Sequence, residues 1–177
     1  MKIAISQREI VHNNITYDCL EHGWHGLLNR HAIVPIPNVS NIELDFDMLI
    51  LSGGDTTPNR THTETIYYNI ALLKGVPILG VCRGAFFINE LHGGVNKPIE
   101  GHKNTAHEIE IDGVMDYVNS FHTNSIALLG RDLLPWATCP HDSSVEGFKH
   151  SQLPIWGTVW HPERAEGFMP TELSEIL

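Results

Sequence analysis

Basic residues are scarce in this chain: 11 Lys and Arg stand against 21 Asp and Glu, a formal net charge of −10. No Lys/Arg cluster interrupts that balance, which argues against nucleic acid or an anionic membrane surface as an electrostatically held partner. A phosphate-bearing small molecule stays open, because one Arg or a helix N-terminus can hold it. Cysteine is also sparse. Cys19, Cys82 and Cys139 are the three, with no close pair and no Cys/His ligand spacing, so neither a disulfide scaffold nor a structural zinc site is expected. The twelve histidines are scattered, and His12, His22, His25 and His31 read as ordinary surface or partly buried residues. Long apolar runs are missing: Met1-Lys2-Ile3-Ala4-Ile5 reads as a strand, not a signal peptide, and no stretch has the length of a membrane span. A soluble cytoplasmic protein is therefore expected. The sequence shows no repeat, linker or low-complexity tract, and 177 residues with 42% hydrophobic content suit a single domain over residues 1–177.

What is present centres on Val76 to Leu91. Val76-Pro77-Ile78-Leu79-Gly80-Val81 reads as an apolar strand, Cys82-Arg83-Gly84 as a sharp turn, and the residues from Ala85 to Leu91 as a helix that begins at once. A thiol at such an elbow faces the partial positive charge of the helix N-terminus, which favours a nucleophilic thiolate. The competing reading is a small hydrophobe closing a strand, since Cys is often fully buried. Far downstream, Trp156 to Trp160 forms another apolar strand ending in His161-Pro162-Glu163. Residues two apart in extended chain share a face, so His161 and Glu163 can lie side by side. Cys82 as nucleophile, His161 as base and Glu163 as the group orienting the imidazole make a Cys-His-Glu triad.

The rest of the chain follows a pattern of short apolar strands and intervening helices. Lys2 to Ser6 is a strand leading into a polar turn at Gln7-Arg8-Glu9, and Tyr17 to Leu28 has helix-like spacing. Ile33 to Pro37 and Asp47 to Leu51 are further strands, the second emptying into Ser52-Gly53-Gly54-Asp55. Thr63 to Lys74 is a helix with an apolar stripe at Ile66, Ile70 and Leu73, stopped by Gly75. This is the pattern of a mostly parallel sheet covered on both faces by helices, an α/β fold. Gly53-Gly54 is either a plain turn or a site where backbone N–H groups approach a ligand, forming an oxyanion hole with the amide of Arg83. Such donors contribute roughly 3 kcal/mol each in a measured protease. No Gly-Lys-Ser/Thr follows, so a phosphate loop is discounted. From His102 the period changes: His107 to Ile111 alternates, Asp112-Gly113 is a turn, Met115 to Asn119 is a short extended piece, and Ser120 to Ser125 reads as a loop. Ala127 to Gly130 and Leu133 to Ala137 send apolar side chains to the core. Ser144 to Phe148 pairs with Ile155 to Trp160 as antiparallel strands added to the parallel core, and Thr171 to Leu177 forms a short terminal helix.

The Gly53-Gly54 loop, Gly80-Val81-Cys82-Arg83-Gly84, Asn119-Ser120-Phe121-His122, Ser144-Val145-Glu146 and His161-Pro162-Glu163, in this order, resemble the class I glutamine amidotransferase domain. The elbow and the paired strand before His161 look most like its gamma-glutamyl hydrolase branch. The resemblance covers nearly the whole chain and implies a flavodoxin-like sheet. It also implies a thioester mechanism on a gamma-glutamyl amide, with catalytic Cys82, His161 and Glu163 and oxyanion donors at Gly53, Gly54 and Arg83. Substrate contacts would come from Phe86, Ser120, Phe121, His122 and the backbone at Val145 and Glu146, and no cofactor or metal is implied. For His122 a plain backbone-bonded loop histidine stands beside the substrate role. One departure stands out: the family commonly has Gln four residues after the nucleophile, and here that residue is Phe86, which makes no conventional hydrogen bond. Arg8 and Arg60, with Arg83, are candidate contacts for a phosphate on the leaving group. The partner expected is a small gamma-glutamyl substrate. The alternatives are a glutaminase subunit feeding ammonia to a synthase partner and, from another class, a redox sensor or chaperone of the same broad fold using Cys82.

Overall fold

The computed structural model describes residues 1–39, 43–175 and 177. Along the chain lie β1 (Lys2–Ser6), β2 (Arg8–His12), β3 (Ile15–Cys19), α1 (His22–Leu27), β4 (Ala32–Ile36), β5 (Met48–Leu51) and α2 (Pro58–Lys74). Then come β6 (Ile78–Val81), α3 (Arg83–Leu91), β7 (Val95–Pro98), β8 (Lys103–Ile111), β9 (Val114–Phe121) and β10 (Asn124–Leu128). The chain closes with β11 (Leu133–Thr138), β12 (Val145–His150), β13 (Ile155–Thr158) and α4 (Thr171–Ser174).

The main sheet runs β4-β1-β5-β6-β13-β12-β11-β8-β9. From β4 to β13 every pairing is parallel; beyond β13 the described pairings are antiparallel. The parallel strands read as continuous apolar runs because both their faces are covered. Alternation then divides their residues between two cores. Ala4, Leu49, Leu51 and Ile78 pack with Tyr67, Tyr68 and Ala71 of α2 and with Ala85, Phe87 and Ile88 of α3. Ile3, Ile5, Met48, Ile50, Leu79 and Val81 face the other way, onto Trp24 and Leu28 at α1 and Leu173 of α4. The architecture is a mostly parallel sheet flanked by helices, with added antiparallel strands, as the sequence pattern predicts.

Four local readings need correction. Tyr17 to Leu28 is not one helix. Arg8–His12 and Ile15–Cys19 form a hairpin, and the helix is confined to α1. The hairpin turns at Asn13 and Asn14, both with positive φ (51° and 60°), the conformation that a two-residue turn matching strand twist requires. The same hairpin replaces the polar turn expected at Gln7-Arg8-Glu9.

Helix α2 starts before Thr63, at Pro58, where the Thr57 side chain accepts a hydrogen bond from the Arg60 amide. Its buried face only brushes the Ile66, Ile70, Leu73 stripe: Ile70 packs at the core's margin, Leu73 is 89% exposed, and Arg60, Thr63, Glu64, Tyr67, Tyr68 and Ala71 are the buried residues. A buried Arg and Glu on that face are tolerable because Arg60 Nε donates to Glu64 Oε1 at 2.9 Å, one turn apart. Finally, Ser120 and Phe121 belong to strand β9, with Ser120 opposite Thr105 of β8; only His122 and Thr123 lie in the connection to β10.

Candidate active site

The carboxyl ends of β5, β6 and β13 sit side by side, and the segments leaving them carry Gly53-Gly54, Cys82 and His161. Ligands in open α/β sheets bind at this edge. Cys82 follows β6 with φ 51° and ψ −108° and serves as the N-cap of α3. A non-glycine residue holds such angles only when its surroundings over-determine them. Here the Cys82 amide donates to the Thr158 carbonyl at 2.7 Å, and glycines at 80 and 84 let α3 sit directly on the sheet. A Cβ at Gly80 would lie 2.7 Å from the Ala85 nitrogen, and one at Gly84 would lie 2.0 Å from the Leu51 carbonyl oxygen. The result is a cysteine that is 9% exposed and borders a cavity of about 640 Å³.

His161 lines the same cavity. Its Nδ1 lies 2.6 Å from Glu163 Oε1, and since an ionised carboxylate only accepts, Nδ1 is the donor and Nε2 is turned to the thiol. Both partners are almost wholly buried. Burial pushes the imidazole pKa down, but hydrogen bonds and charge from Cys82 and Glu163 outweigh it and raise it to about 9. Gly53 backs the ring closely: a Cβ there would lie 2.5 Å from His161 Cε1. Phe121 meets it edge-on, ring centres 5.7 Å apart.

The glycine loop is shaped by Arg60. Its Nη1 donates to the carbonyls of Gly53 (3.1 Å) and Asp55 (3.2 Å), and its Nη2 to that of Ser52 (2.6 Å). A trans peptide points its N–H opposite to its C=O, so anchoring the Gly53 carbonyl to Arg60 directs the Gly54 amide away from it. Gly54 and Arg83 both border the cavity. Arg60 itself is 0% exposed, which corrects the phosphate contact expected of it: the guanidinium is consumed in holding this loop. Arg8 borders a separate small pocket with Glu21, Ser52, Gly53 and Glu163. Arg83 does reach the main cavity, steadied by an ion pair to Glu64, hydrogen bonds to Thr56 (3.2 Å) and Thr61 (3.3 Å), and the face of Phe87 4.8 Å away. Burial lowers the pKa of Arg60 to about 10 and of Arg83 to about 9, leaving both cationic at neutral pH.

Of the expected substrate contacts, Phe86, Phe121 and His122 line the cavity, whereas Ser120, Val145 and Glu146 do not. Ser120 Oγ donates to the His102 carbonyl at 2.6 Å. The Glu146 carbonyl accepts from the Val159 amide at 2.8 Å, so that carbonyl is spent on the segment leaving β13.

Two residues have roles that the sequence reading does not assign, although Asn119 belongs to the Asn119-Ser120-Phe121-His122 segment. Asn119, buried at the end of β9, brackets His161: its Oδ1 accepts from the His161 amide at 2.9 Å and its Nδ2 donates to the His161 carbonyl at 2.8 Å. Arg164 lies over Phe121, 4.6 Å from the ring centre, held by a bidentate pair with Glu21 at 2.8 and 2.9 Å. Neither has a local signal, because their partners lie far away in sequence. The sequence also carries no metal-ligand spacing, yet folding gathers His102, His107, His122 and Glu146, whose candidate ligand atoms all lie within 4.8 Å of one another.

Residues 15–174 match the family described as Glutamine amidotransferase class-I. The gamma-glutamyl-CDP-amidate hydrolase of Campylobacter jejuni subsp. jejuni is 32% identical over 94% of this chain and 92% of its own length. The carbamoyl phosphate synthase small chain of Pyrobaculum aerophilum is 30% identical over 78% of this chain, which spans 41% of that relative. A glutamine amidotransferase of known structure from Thermotoga maritima superposes with a TM-score of 0.71 at 13% identity, covering 92% of this chain and 76% of its own. With the elbow cysteine, the His161–Glu163 pair and the sheet that carries them, the match over residues 15–174 places this chain in the class I glutamine amidotransferase family.

Proposed function

We propose that this chain hydrolyses a gamma-glutamyl amide through a thioester on Cys82, releasing glutamate and an amine or amidate. The observation that carries this reading is the strained elbow cysteine facing an imidazole whose other nitrogen is locked onto Glu163. With the thiol's proton held on His161, Cys82 Sγ attacks the gamma-carbonyl. The amides of Gly54 and Arg83 meet the oxyanion. As the intermediate collapses, the C–N bond breaks and His161 passes its proton to the leaving nitrogen. Water, deprotonated by the same imidazole, then attacks the thioester, and the thiol leaves as glutamate forms.

The cavity is larger than a glutamyl group needs, and Arg83, Lys103 and Arg164 line it against Asp55 and Glu90. Phe86 offers an apolar wall where an amide-bearing residue would grip free glutamine. Both features suit a substrate whose leaving group is bulky and anionic, and the Campylobacter relative is named for such a compound, a nucleotide amidate. The test is glutamate release over glutamine, gamma-glutamyl aminobutyrate, a gamma-glutamyl dipeptide and a gamma-glutamyl nucleotide amidate, with Cys82→Ala as control. Turnover on the amidate far above glutamine, lost in the control, supports the proposal. Silence on all four favours a second reading, an ammonia-producing subunit for a synthase, to which the likeness to the carbamoyl phosphate synthase small chain points; co-purification of a synthase would then follow.

Lys103 is exposed at the rim, so Lys103→Glu leaves the fold intact. It raises KM for the nucleotide amidate by about tenfold, the equivalent of about 1.4 kcal/mol, and spares gamma-glutamyl aminobutyrate. Equal losses on both substrates would remove Lys103 from the anion site.

Asn119 is a positioning residue, acting through the backbone of His161. Asn119→Leu misplaces the imidazole and lowers kcat by up to about a hundredfold with little change in KM. A parallel rise in KM, or a loss explained by unfolding in the circular dichroism melt, would show a merely structural role.

A further inference from the structure

Behind the His122 wall of the cavity, four side chains converge from different strands. His102 immediately precedes β8, His107 lies within it, His122 follows β9, and Glu146 belongs to β12. Glu146 Oε2 lies 3.4 Å from His122 Nε2 and 3.7 Å from His107 Nε2, and Glu146 Oε1 lies 3.5 Å from His102 Nδ1. Glu146 is wholly buried, and His102 and His122 nearly so.

Each member is also fixed from outside. His102 Nε2 meets Asp142 Oδ2 at 2.9 Å, His107 Nδ1 the Glu108 carbonyl at 3.0 Å, and His122 Nδ1 the Asn124 carbonyl at 2.7 Å. Ser144 Oγ donates to Glu146 Oε1 at 2.8 Å. Because those outer partners are acceptors, each ring places its N–H there. Three lone pairs and a carboxylate oxygen are then left facing one another, and the four inward atoms, His102 Nδ1, His107 Nε2, His122 Nε2 and Glu146 Oε2, are buried with no hydrogen-bond partner. Acceptors cannot satisfy acceptors, and buried polar atoms without partners are rare and costly. A cation at their centre resolves the conflict.

We propose that His102, His107, His122 and Glu146 bind one Zn²⁺ as a closed, structural tetrahedral site. Zinc takes His nitrogen and carboxylate oxygen at 2.0 to 2.2 Å, which sets neighbouring ligand atoms about 3.4 Å apart in a tetrahedron; the spacings of His122 Nε2 and His107 Nε2 to Glu146 Oε2, 3.4 and 3.7 Å, already lie near it, and all four ligand atoms lie within 4.8 Å of one another. Outer oxygens that fix the tautomer of each ring are the usual support of metal-binding histidines. With four protein ligands no position is left open, so the ion joins β8, β9 and β12 and braces the wall that carries Phe121 and His122, while the thiol chemistry runs without it.

The test uses the full chain without a histidine tag, reconstituted with zinc, dialysed, and assayed by plasma mass spectrometry. One zinc per chain is expected, retained in Cys82→Ala and lost in His107→Gln. Asp142, partly exposed at the edge of the cluster, allows a gentler variant: Asp142→Ala weakens zinc affinity about 10- to 100-fold. Chelation with dipicolinate lowers Tm, zinc restores it, and Co²⁺ in its place gives the intense visible bands of a tetrahedral centre. Wild-type protein that stays substoichiometric after reconstitution overturns the site whether or not His107→Gln folds. Zinc lost with Cys82→Ala would move it to the thiol, and octahedral Co²⁺ spectra would overturn the closed tetrahedral geometry. None of these readouts depends on the hydrolase activity.

Discussion

Glu163→Gln lowers kcat/KM by about four orders of magnitude, the size of loss seen when the orienting carboxylate of a serine protease is replaced by its amide. The substitution preserves shape, so packing does not explain the loss. Glu163 Oε1 accepts the Nδ1 proton of His161 at 2.6 Å, and both side chains are almost wholly buried. An amide nitrogen at the same place donates instead, which turns the imidazole to the tautomer that carries its proton on Nε2. The ring then presents a donor to Cys82 and cannot take the thiol proton. A second signature follows from charge. His161 is held at about 9 by Cys82 and Glu163 against the opposing effect of burial, so its folded pKa lies above the unfolded value near 6.5. The stability that this charged form contributes is fully present below pH 6.5 and is lost as pH rises through about 9. In Glu163→Gln the imidazole pKa falls, and the wild-type decline in stability between those limits flattens. Paired chemical denaturation series at pH 6 and pH 9 read this directly. Wild-type kcat/KM in the variant, or an unchanged pH dependence of stability, would remove Glu163 from the triad.

The parts of this site that the sequence displays are those carried on single local motifs. Cys82 stands in a strand-turn-helix elbow whose signal lies within ten residues, and His161 and Glu163 are two apart on one extended segment, so both are legible without tertiary knowledge. The same locality explains the parallel core, since β1, β5, β6 and β13 are apolar runs bounded by turn residues. What was misread has a shared cause. Tyr17 to Leu28 reads as one helix because Tyr17, Leu20, Trp24 and Leu28 fall at helical intervals, although Tyr17 to Cys19 end the β2-β3 hairpin that turns at Asn13 and Asn14. On α2 the apolar residues Ile66, Ile70 and Leu73 suggest a face that only brushes the buried one, because the buried one is made habitable by the Arg60–Glu64 pair. Asn119, Arg164 and the four residues of the histidine cluster find their partners across 24 to more than 100 positions, or across neighbouring strands. No spacing rule reaches that far; only the sheet order brings them together.

Gly84→Ala destabilises the fold by about 3 kcal/mol or more, the upper part of the range for overpacking, and lowers Tm by roughly 6–12 °C for a chain of this size. The added methyl would sit 2.0 Å from the Leu51 carbonyl oxygen and 2.6 Å from its carbon. These are backbone atoms of β5, paired on one side to β1 and on the other to β6, so no side-chain rotation relieves the contact. Helix α3 must lift off the sheet instead, and with it go the Cys82 thiol and the Arg83 amide at its first turn. Activity therefore falls further than stability accounts for: at temperatures where the variant is still fully folded, kcat drops because the oxyanion donors no longer meet the reacting carbonyl. Gly26→Ala is the internal control. Gly26 lies in α1 with open space where its Cβ would go and no positive φ, so alanine there stabilises by about 0.5–1 kcal/mol through the lower entropy of the unfolded chain. Urea titration of both variants separates the two causes. If Gly84→Ala matched the wild type while Gly26→Ala behaved as expected, the close seating of α3 on β5 would be wrong, and with it the reason that Cys82 holds its strained angles.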